Sequence, residues 1–402
     1  MHRAAWPNEF FLLPLQPMNT AIIGGGAAGY FCAANLAEMC PDMQITIYEQ
    51  SRRPLRKVEI SGGGRCNCTN TFAAISNLNQ AYPRGARLMS RLFHTFGPQD
   101  TCRWFEQHGV PLTTEPDGCI FPAAQDSHAI TGCLMQIAHR HNIRLITNHR
   151  IDNPTQLLSQ GFDHVVVTTG GQPRMGVPSL FTLRIDDDRL HKLMGIVVPH
   201  VIMTIPGTKH RADGPLLITH WGLSGPATLR LSSYAARHLA EQNYKSPLII
   251  NWTGTTNTDD ASRTLSTLIQ QNPGRHISNL HPFGLQTNMW TYLTDKAGIP
   301  NQPAANISQR TMNRMVNLLT NDRYDIAGRS PYRDEFVTCG GIPLTDINPN
   351  TLESRLTPNT YYAGEVLDID GITGGFNLQA AWTTGYCVAH AITQKNKSRN
   401  SK

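Results

Sequence analysis

Apolar runs and glycine-rich segments alternate near the start of the chain, and this pattern predicts a β–α–β unit. The apolar run 20–23 leads into Gly-Gly-Gly-Ala-Ala-Gly and then into an alanine-rich stretch. A second apolar run, 45–48, precedes Glu49. Short apolar runs bounded by turn signals are typical of strands, whereas the longer alanine-rich stretch is typical of a helix. The sequence therefore predicts a strand, a tight turn, a helix and a second strand that ends in a carboxylate.

The pattern changes character near residue 178. Before it, amphipathic and β-branched segments predict helices and buried parallel strands, and after it, short apolar segments punctuated by proline predict antiparallel strands. The segment 255–325 is polar with helical spacing and predicts a helical subdomain. The other predicted helices cover 86–109, 126–141, 226–241 and 380–394, and the predicted strands cover 143–147, 162–169, 180–185, 197–205, 216–219, 248–252 and 361–370.

Length and composition describe a folded protein of more than one domain. A chain of 402 residues exceeds one ordinary core, and 40% hydrophobic with 16% charged residues excludes a disordered protein. The net charge of +6 permits a nucleic-acid partner without indicating one. Nine cysteines without a C-x-x-C pair favour a reducing cytoplasm over a disulfide framework or a zinc site. Since no apolar run reaches the ~20 residues of a membrane span, no membrane partner is expected.

The first glycine-rich segment has the spacing of a dinucleotide-binding loop. Gly24, Gly26 and Gly29 match the G-x-G-x-x-G motif directly after the first predicted strand. The first glycine allows the turn, the second lets the backbone approach a pyrophosphate, and the third lets the helix pack on the strand. Glu49 lies 20 residues beyond Gly29, where a carboxylate accepts hydrogen bonds from a ribose. This carboxylate favours FAD or NAD over NADP as the ligand.

A second polar loop follows at 58–70. It combines three consecutive glycines with the donors of Ser61, Arg65 and Asn67. Exposed backbone N–H groups beside such donors suit a phosphate, a ribityl chain or the edge of a flavin ring. The alternative is a flexible surface linker, which does not need Arg-Cys-Asn between its glycines and Thr-Asn.

The chain returns to this chemistry near its end. A predicted strand leads into Gly364-Glu365, and the loop 371–379 opens the final helix. Glu365 can accept hydrogen bonds from ribityl hydroxyls, and the helix start near Gly375 can direct N–H groups and a dipole at the N1/C2=O region of a flavin. The alternative is a glycine-rich turn before a surface helix, which leaves Glu365 unexplained.

These blocks occur together in one known family. The segments IIGGGAAGYFCAANLA, KVEISGGGRCNCTN, VVTTGG, LITHWGLSGPATLRLS and YYAGEVLDIDGITGGFNLQAAWTTGY follow one another in the same order. Over residues 18–393 the chain resembles the BaiN and aminoacetone oxidase-like (YhiN-type) NAD(P)/FAD-dependent oxidoreductases. The resemblance implies non-covalent FAD, and members linked to amine oxidation and to bile-acid double-bond reduction leave the substrate open. Segments 148–162 and 172–178 are compressed relative to the family, which bears on one flank of the FAD site.

The predicted fold class is α/β: a Rossmann-like FAD-binding domain of the two-dinucleotide-binding type, interrupted by a β-barrel-like insertion that carries a helical subdomain. The predicted division is an extension or mis-called start at 1–17, the FAD domain at 18–179 and 336–394, the insertion at 180–335 with its helical part at about 255–325, and a frayed basic tail at 395–402. The residues predicted to contact the cofactor are Gly24, Gly26, Ala27, Ala28, Gly29, Glu49, Lys57, Ser61, Gly62, Gly63, Arg65, Cys66, Asn67, Thr169, Gly170, Gly364, Glu365, Gly375, Phe376, Asn377 and Leu378.

The leading functional hypothesis is an FAD-dependent oxidoreductase that moves a hydride between flavin N5 and a small organic substrate. NAD(P)H would bind only transiently as electron donor, because the chain has no second G-x-G-x-x-G. The alternatives are an FAD oxidase of an amine-like substrate that uses O₂, and a non-catalytic flavin-bound sensor. No catalytic residue is assigned. His220 is a candidate acid–base group or equally a loop-holding histidine, and Cys66 would be redox-active only with a lowered pKa.

Overall fold

The computed structural model describes residues 18–171, 176–330 and 337–400. The predicted extension 1–17 lies outside the described residues, as does most of the compressed segment 172–178. None of the described helices is long and apolar enough to cross a membrane.

A five-stranded parallel sheet forms the centre of the first domain. Its strands are β1 (Asn19–Ile23), β2 (Gln44–Tyr48), β6 (Arg144–Ile146), β7 (His164–Val167) and β16 (Thr360–Tyr362). They lie in the order β16-β7-β1-β2-β6, so β1 is central. The last three residues of β1 and of β7 are apolar because these strands are buried on both faces. All carboxyl ends lie at one edge, where open parallel sheets bind ligands.

Two helices, α1 (Ala27–Met39) and α14 (Phe376–Asn400), run side by side in the same direction. They approach closely because Gly385 has no side chain, since a Cβ there would lie 2.8 Å from the backbone oxygen of Ala28. Ala28 is in the first turn of α1, whereas Gly385 is nine residues beyond the start of α14. Ala28 is one residue beyond the start of α1, so the two helix starts are offset by eight residues. At 1.5 Å per residue, α14 therefore begins ~12 Å further out than α1, beyond the same sheet edge.

The expectation of a frayed basic tail at 395–402 is wrong for residues 395–400, which continue α14. Lys395 pairs with Glu353 at 2.7 Å, and the Asn396 Oδ1 lies 3.1 Å from the His164 Nε2. Helices gain most of their stability from tertiary contacts, so these contacts extend a helix that its composition alone would leave frayed.

The remaining elements of this domain flank the sheet. The helices are α2 (Arg56–Ile60), α3 (Leu78–Ala81), α4 (Ala86–Leu92), α5 (Pro98–Gln107), α6 (His128–Arg140) and α7 (Gln156–Ser159), and a small antiparallel sheet consists of β3 (Thr69–Asn70), β4 (Leu112–Thr114) and β5 (Cys119–Pro122). The single helix predicted at 86–109 is two helices, because Pro98 starts a new helix at its first turn. The last strand is also shorter than predicted: Gly364, at φ +76°, begins a 3₁₀ turn immediately after β16.

The insertion is a closed antiparallel barrel with helices attached. The chain enters and leaves through β8 (Val177–Ser179) and β15 (Val337–Cys339), which pair with each other. The barrel strands are β9 (Leu183–Ile185), β10 (Val197–Thr204), β11 (Arg211–Thr219), β12 (Gly222–Ser224), β13 (Ser246–Asn251) and β14 (Asp322–Arg329), and the helices are α8 (Asp188–His191), α9 (Pro226–Tyr234), α10 (Ala236–Glu241), α11 (Thr258–Gln271), α12 (Thr287–Lys296) and α13 (Gln309–Thr320).

The barrel closes in the order β10-β11-β12-β9-β14-β13, and closure leaves no open sheet edge. The barrel and its helices have their own buried apolar core, separate from the core of the FAD domain. The predicted fold class is therefore confirmed. The exact domain boundaries stay predictions.

Candidate cofactor site

The glycine turn after β1 is shaped by close backbone contacts. Gly24 has φ +113°, and a Cβ there would collide with the backbone oxygen of Thr168 at the end of β7. A Cβ at Gly29 would collide with the backbone oxygen of Gly24. These two glycines are therefore required by the fold itself, which is how the motif packs helix against strand.

Gly26 is different, because the protein does not need it for packing. No heavy atom of the described residues lies within 4 Å of the position of a Cβ on Gly26, and its φ of −90° suits any residue. Gly26 precedes α1 and offers no side chain to cap the N–H groups of Ala27, Ala28 and the rest of the first turn. Open space in front of unfilled helix N–H groups is the geometry that binds phosphate.

Glu49 is fixed against this turn. One carboxylate oxygen accepts the Gly25 N–H at 2.7 Å, and the other accepts both the N–H and the hydroxyl of Ser51. A carboxylate offers about four acceptor positions, so roughly one remains for a ribose hydroxyl. Burial and then the charge of Glu49 raise the pKa of the neighbouring Tyr30 to about 12.

The loop after α2 presents backbone rather than side chains. Gly62 and Gly63 have φ of +59° and +68°, and the space at Gly63 is open within 4 Å among the described residues. Ser61 donates its hydroxyl to the Val58 carbonyl, so that group is used within the loop. Asn67, with its amide oxygen towards Gly375, accepts the N–H of that residue at 3.2 Å.

Two side chains of this loop are engaged elsewhere. Arg65 donates to Glu115 at 2.7 Å and to Gln125 at 2.9 Å, and its guanidinium lies over the Phe121 ring. It therefore anchors the loop to the small antiparallel sheet. Cys66 is fully buried, and burial raises the pKa of its thiol to about 12. The condition for a redox-active Cys66, a lowered pKa, is not met.

Lys57 and Glu365 meet at the carboxyl edge of the sheet. The Lys57 Nζ lies 2.9 Å from one oxygen of Glu365, while the other oxygen accepts the Thr338 N–H at 2.8 Å. A Cβ on Gly170, two residues after the buried Thr168, would lie 3.6 Å from the same carboxylate. The structure thus brings together the segments of Lys57, Gly170, Thr338 and Glu365, which are far apart in sequence. Thr169 belongs to the same segment as Gly170. Thr338 was missed by sequence reasoning, because a backbone N–H carries no sequence signal.

At the start of α14, two side chains that the sequence analysis predicts to contact the cofactor make contacts within the protein. Asn377 accepts the Gly371 N–H at 2.8 Å and donates to the Gly371 carbonyl at 2.9 Å, which closes the preceding loop. Phe376 is buried with its ring 4.9 Å from that of Phe72. Leu378 is half-buried in the first turn. The groups that this helix can offer a ligand are therefore its N–H groups and its dipole.

A buried ion pair behind this loop was also missed. Asp370 is fully buried, accepts hydrogen bonds on both oxygens from Arg84, and accepts the Ser179 hydroxyl at 3.1 Å. Arg84 also donates to the Ser233 carbonyl at 2.9 Å. Burial raises the pKa of Asp370, and the Arg84 guanidinium opposes that rise. This pair ties the α14 loop to β8 and to α9 of the insertion.

His220 does not lie in these loops. It is exposed in the turn between β11 and β12, with its ring 4.4 Å from that of Trp221. Its acid–base role stays a prediction.

The residues of the site fit an extended dinucleotide. The open N-terminus of α1 suits a pyrophosphate, Glu49 suits the adenosine ribose, and Glu365 suits hydroxyls further along the edge. The α14 N-terminus begins ~12 Å beyond that of α1, where it can meet a ring system at the far end of the ligand. An FAD molecule has its pyrophosphate, ribityl chain and ring in this order.

The fold and this site define a flavin-dependent oxidoreductase. The chain belongs to the HI0933-like family, since the model of the HI0933-like protein Rossmann domain matches residues 18–391. The ribosomal RNA dihydrouridine synthase of Escherichia coli is 26% identical over 96% of this chain and 100% of that protein. The 3-dehydro-bile acid delta(4,6)-reductase of Clostridium scindens is 25% identical over 93% of this chain and 98% of that protein. A solved structure of E. coli quinol fumarate reductase FrdA is similar over 96% of this chain and 72% of the FrdA chain, with 14% identity and a TM-score of 0.44.

Proposed function

We propose that the protein uses FAD and NAD(P)H to add two hydrogens across an electron-poor carbon–carbon double bond of a uracil ring in RNA. When bound, FAD supplies the centre that accepts a hydride from NAD(P)H and passes it to the substrate. One hydride and one proton are added for each NAD(P)H oxidised, so electrons and protons balance. The protein would work in the cytoplasm, where its nine free cysteines stay reduced.

The names of two relatives support this chemistry. Dihydrouridine differs from uridine by two hydrogens across the C5=C6 bond, and a delta(4,6)-reductase acts on carbon–carbon double bonds of a steroid. In both substrates a carbonyl group can withdraw electrons from the double bond, which makes that bond more reactive towards a hydride. The alignments cover nearly the whole of each chain, so the site and the insertion are both included.

The observation that carries the proposal is the pair of helix N-termini with Glu365 at one sheet edge. The N–H groups of the first turn of α1 hold negative phosphate charge, and those of α14 stabilise negative charge that develops on a bound ring. Glu365 accepts ligand hydroxyls, and Lys57 balances its charge. Arg84 and Asp370 hold the α14 loop in place from behind.

A small molecule with a conjugated double bond is the second candidate substrate, and the bile-acid reductase favours it. The cofactor would reduce this substrate by the same chemistry, and only the molecule that the insertion recognises would differ. An amine oxidase or a flavin-bound sensor differs from both, because neither oxidises NAD(P)H in the presence of an acceptor with a double bond.

The test is product analysis. Purified protein with FAD is incubated anaerobically with NADH or NADPH and with unmodified ribosomal RNA, and the digested nucleosides are analysed by mass spectrometry. We expect a uridine product heavier by two hydrogens that depends on protein and NAD(P)H. NAD(P)H oxidation with a conjugated enone, but no dihydrouridine in any RNA, would leave the small-molecule candidate and refute the RNA substrate.

A further inference from the structure

A cluster of cationic and imidazole side chains lies where the insertion meets the FAD domain. We call it the junction surface: Arg84 from the FAD domain, Lys209 and His210 from the turn between β10 and β11, and Arg237 and His238 from α10. The rings of the two histidines lie 5.8 Å apart. Three separate segments therefore converge on one surface.

The acidic residues at this surface are already engaged. Asp370 is taken by Arg84, and Asp368 accepts two hydrogen bonds from Arg237 at 3.0 and 3.1 Å. Lys209 is exposed and has no ion pair among the described residues. The surface therefore keeps a positive surplus, to which the two histidines add when they are protonated.

The charged groups around His210 also give this surface a positive electrostatic potential. The pKa of His210 is lowered first by burial and then by the charges of His238, Lys209 and Arg84. These groups face it from α10, from its own turn and from the FAD domain. An anion placed between the two rings would relieve this repulsion and would favour the protonated form of His210.

The junction surface is adjacent to the loop that addresses the cofactor. Asp368 and Asp370, which bind Arg237 and Arg84, belong to the segment between Glu365 and the start of α14. A polyanion on this surface would thus have its neighbouring base within reach of that loop. The exposed or half-buried positions of Lys209, His210 and His238 leave them open to a ligand.

We propose that the junction surface binds phosphate groups of the RNA strand whose uracil enters the flavin site. This inference rests on the proposed function and adds the residues that recognise the RNA. Phosphate contacts position a nucleic acid without reading its sequence, so the surface sets register and affinity, while the flavin site selects the base.

The test compares RNA binding by the full-length FAD-loaded protein and a triple variant, Lys209→Gln, His210→Gln, His238→Gln. The probe is a fluorescently labelled, uracil-containing ribosomal RNA fragment, measured by anisotropy at several salt concentrations and at pH 6 and 8. Lys192→Gln is the matched control, since it removes one exposed lysine beside the opposite end of β11. FAD content and melting temperature verify that each variant is folded.

The triple variant should bind RNA about 10-fold more weakly at pH 6, with a salt slope smaller by about one. The wild type should bind more tightly at pH 6 than at pH 8, because bound phosphate favours the protonated form of His210, and the triple variant should lose most of this difference. Lys192→Gln should bind like the wild type.

Equal dissociation constants and salt slopes for the triple variant and Lys192→Gln would overturn the inference, as would a wild type that binds no RNA. A raised KM for NADPH with unchanged RNA affinity would assign the surface to the 2′-phosphate of NADPH and would also overturn it. The proposed function fails separately, when RNA is bound by the wild type but none of its uridines is reduced.

Discussion

Replacing Gly26 by alanine separates a role in folding from a role in cofactor binding. A Cβ at this position meets no heavy atom of the described residues within 4 Å, and φ of −90° is allowed for alanine. Alanine is a poorer residue than glycine before a helix, which costs on the order of 0.5–1 kcal/mol. Alanine also lowers the conformational entropy of the unfolded chain, which stabilises the folded protein by about 0.4–1 kcal/mol. The two effects offset, so the cofactor-free variant should melt within about 2 °C of the wild type.

Cofactor binding should respond very differently. The added methyl group occupies the open space in front of α1, where the pyrophosphate must approach the helix N–H groups. A hydrogen bond to a charged group contributes about 1.5–3 kcal/mol, so losing one raises the Kd for FAD roughly 10- to 100-fold. The assay is titration of cofactor-free protein with FAD, followed by flavin fluorescence, beside thermal unfolding of the same sample.

Gly24→Ala is the matched comparison. A Cβ there collides with the Thr168 carbonyl, and φ of +113° strains any other residue, so the cofactor-free protein itself should lose on the order of 2 kcal/mol of stability. Wild-type affinity for FAD in the Gly26→Ala variant would refute the assignment of the pyrophosphate to this loop.

Three further predictions follow from buried groups. Asp370→Asn leaves the Arg84 charge buried without its partner and should cost about 3–5 kcal/mol in urea unfolding, whereas Asp368→Asn, at a more exposed pair, should cost under about 1 kcal/mol. Burial lowers the pKa of His164, so below pH 6.5 the unfolded chain binds more protons than the folded protein, and the free energy of unfolding falls as the pH falls. His164→Gln should reduce this loss by up to about 1.4 kcal/mol per pH unit, measured by unfolding between pH 7 and 5. An unchanged dependence on pH would count against a buried neutral ring at His164. Cys66 should resist iodoacetamide at pH 8 in the folded protein and react after unfolding, and rapid labelling of the native protein would contradict its burial and raised pKa.

Features that depend on neighbouring residues could be predicted from the sequence. The β1–α1 turn was predictable because its glycines and the strand and helix around them all lie within residues 19–39. The opening of α14 near Gly375 was predictable for the same reason. The parallel and antiparallel character of the two halves also follows from local patterns, because burial on two faces or one face sets the spacing of apolar residues.

Features that depend on distant partners could not be predicted. Arg65 has the same local signal as a ligand-binding arginine, but its partner Glu115 lies 50 residues away. Phe376 likewise supports the loop because of its contact with Phe72, which is far from it in the sequence. The closure of the barrel depends on strand register across the whole insertion, which no single segment encodes.

The most direct measurement is an anaerobic absorbance titration of the FAD-loaded protein. The account predicts that the flavin band near ~450 nm bleaches on addition of NADH or NADPH and returns when uracil-containing ribosomal RNA is added without oxygen. A band that persists with both nucleotides, or a bleached band that RNA leaves unchanged while an enone restores it, would contradict the account.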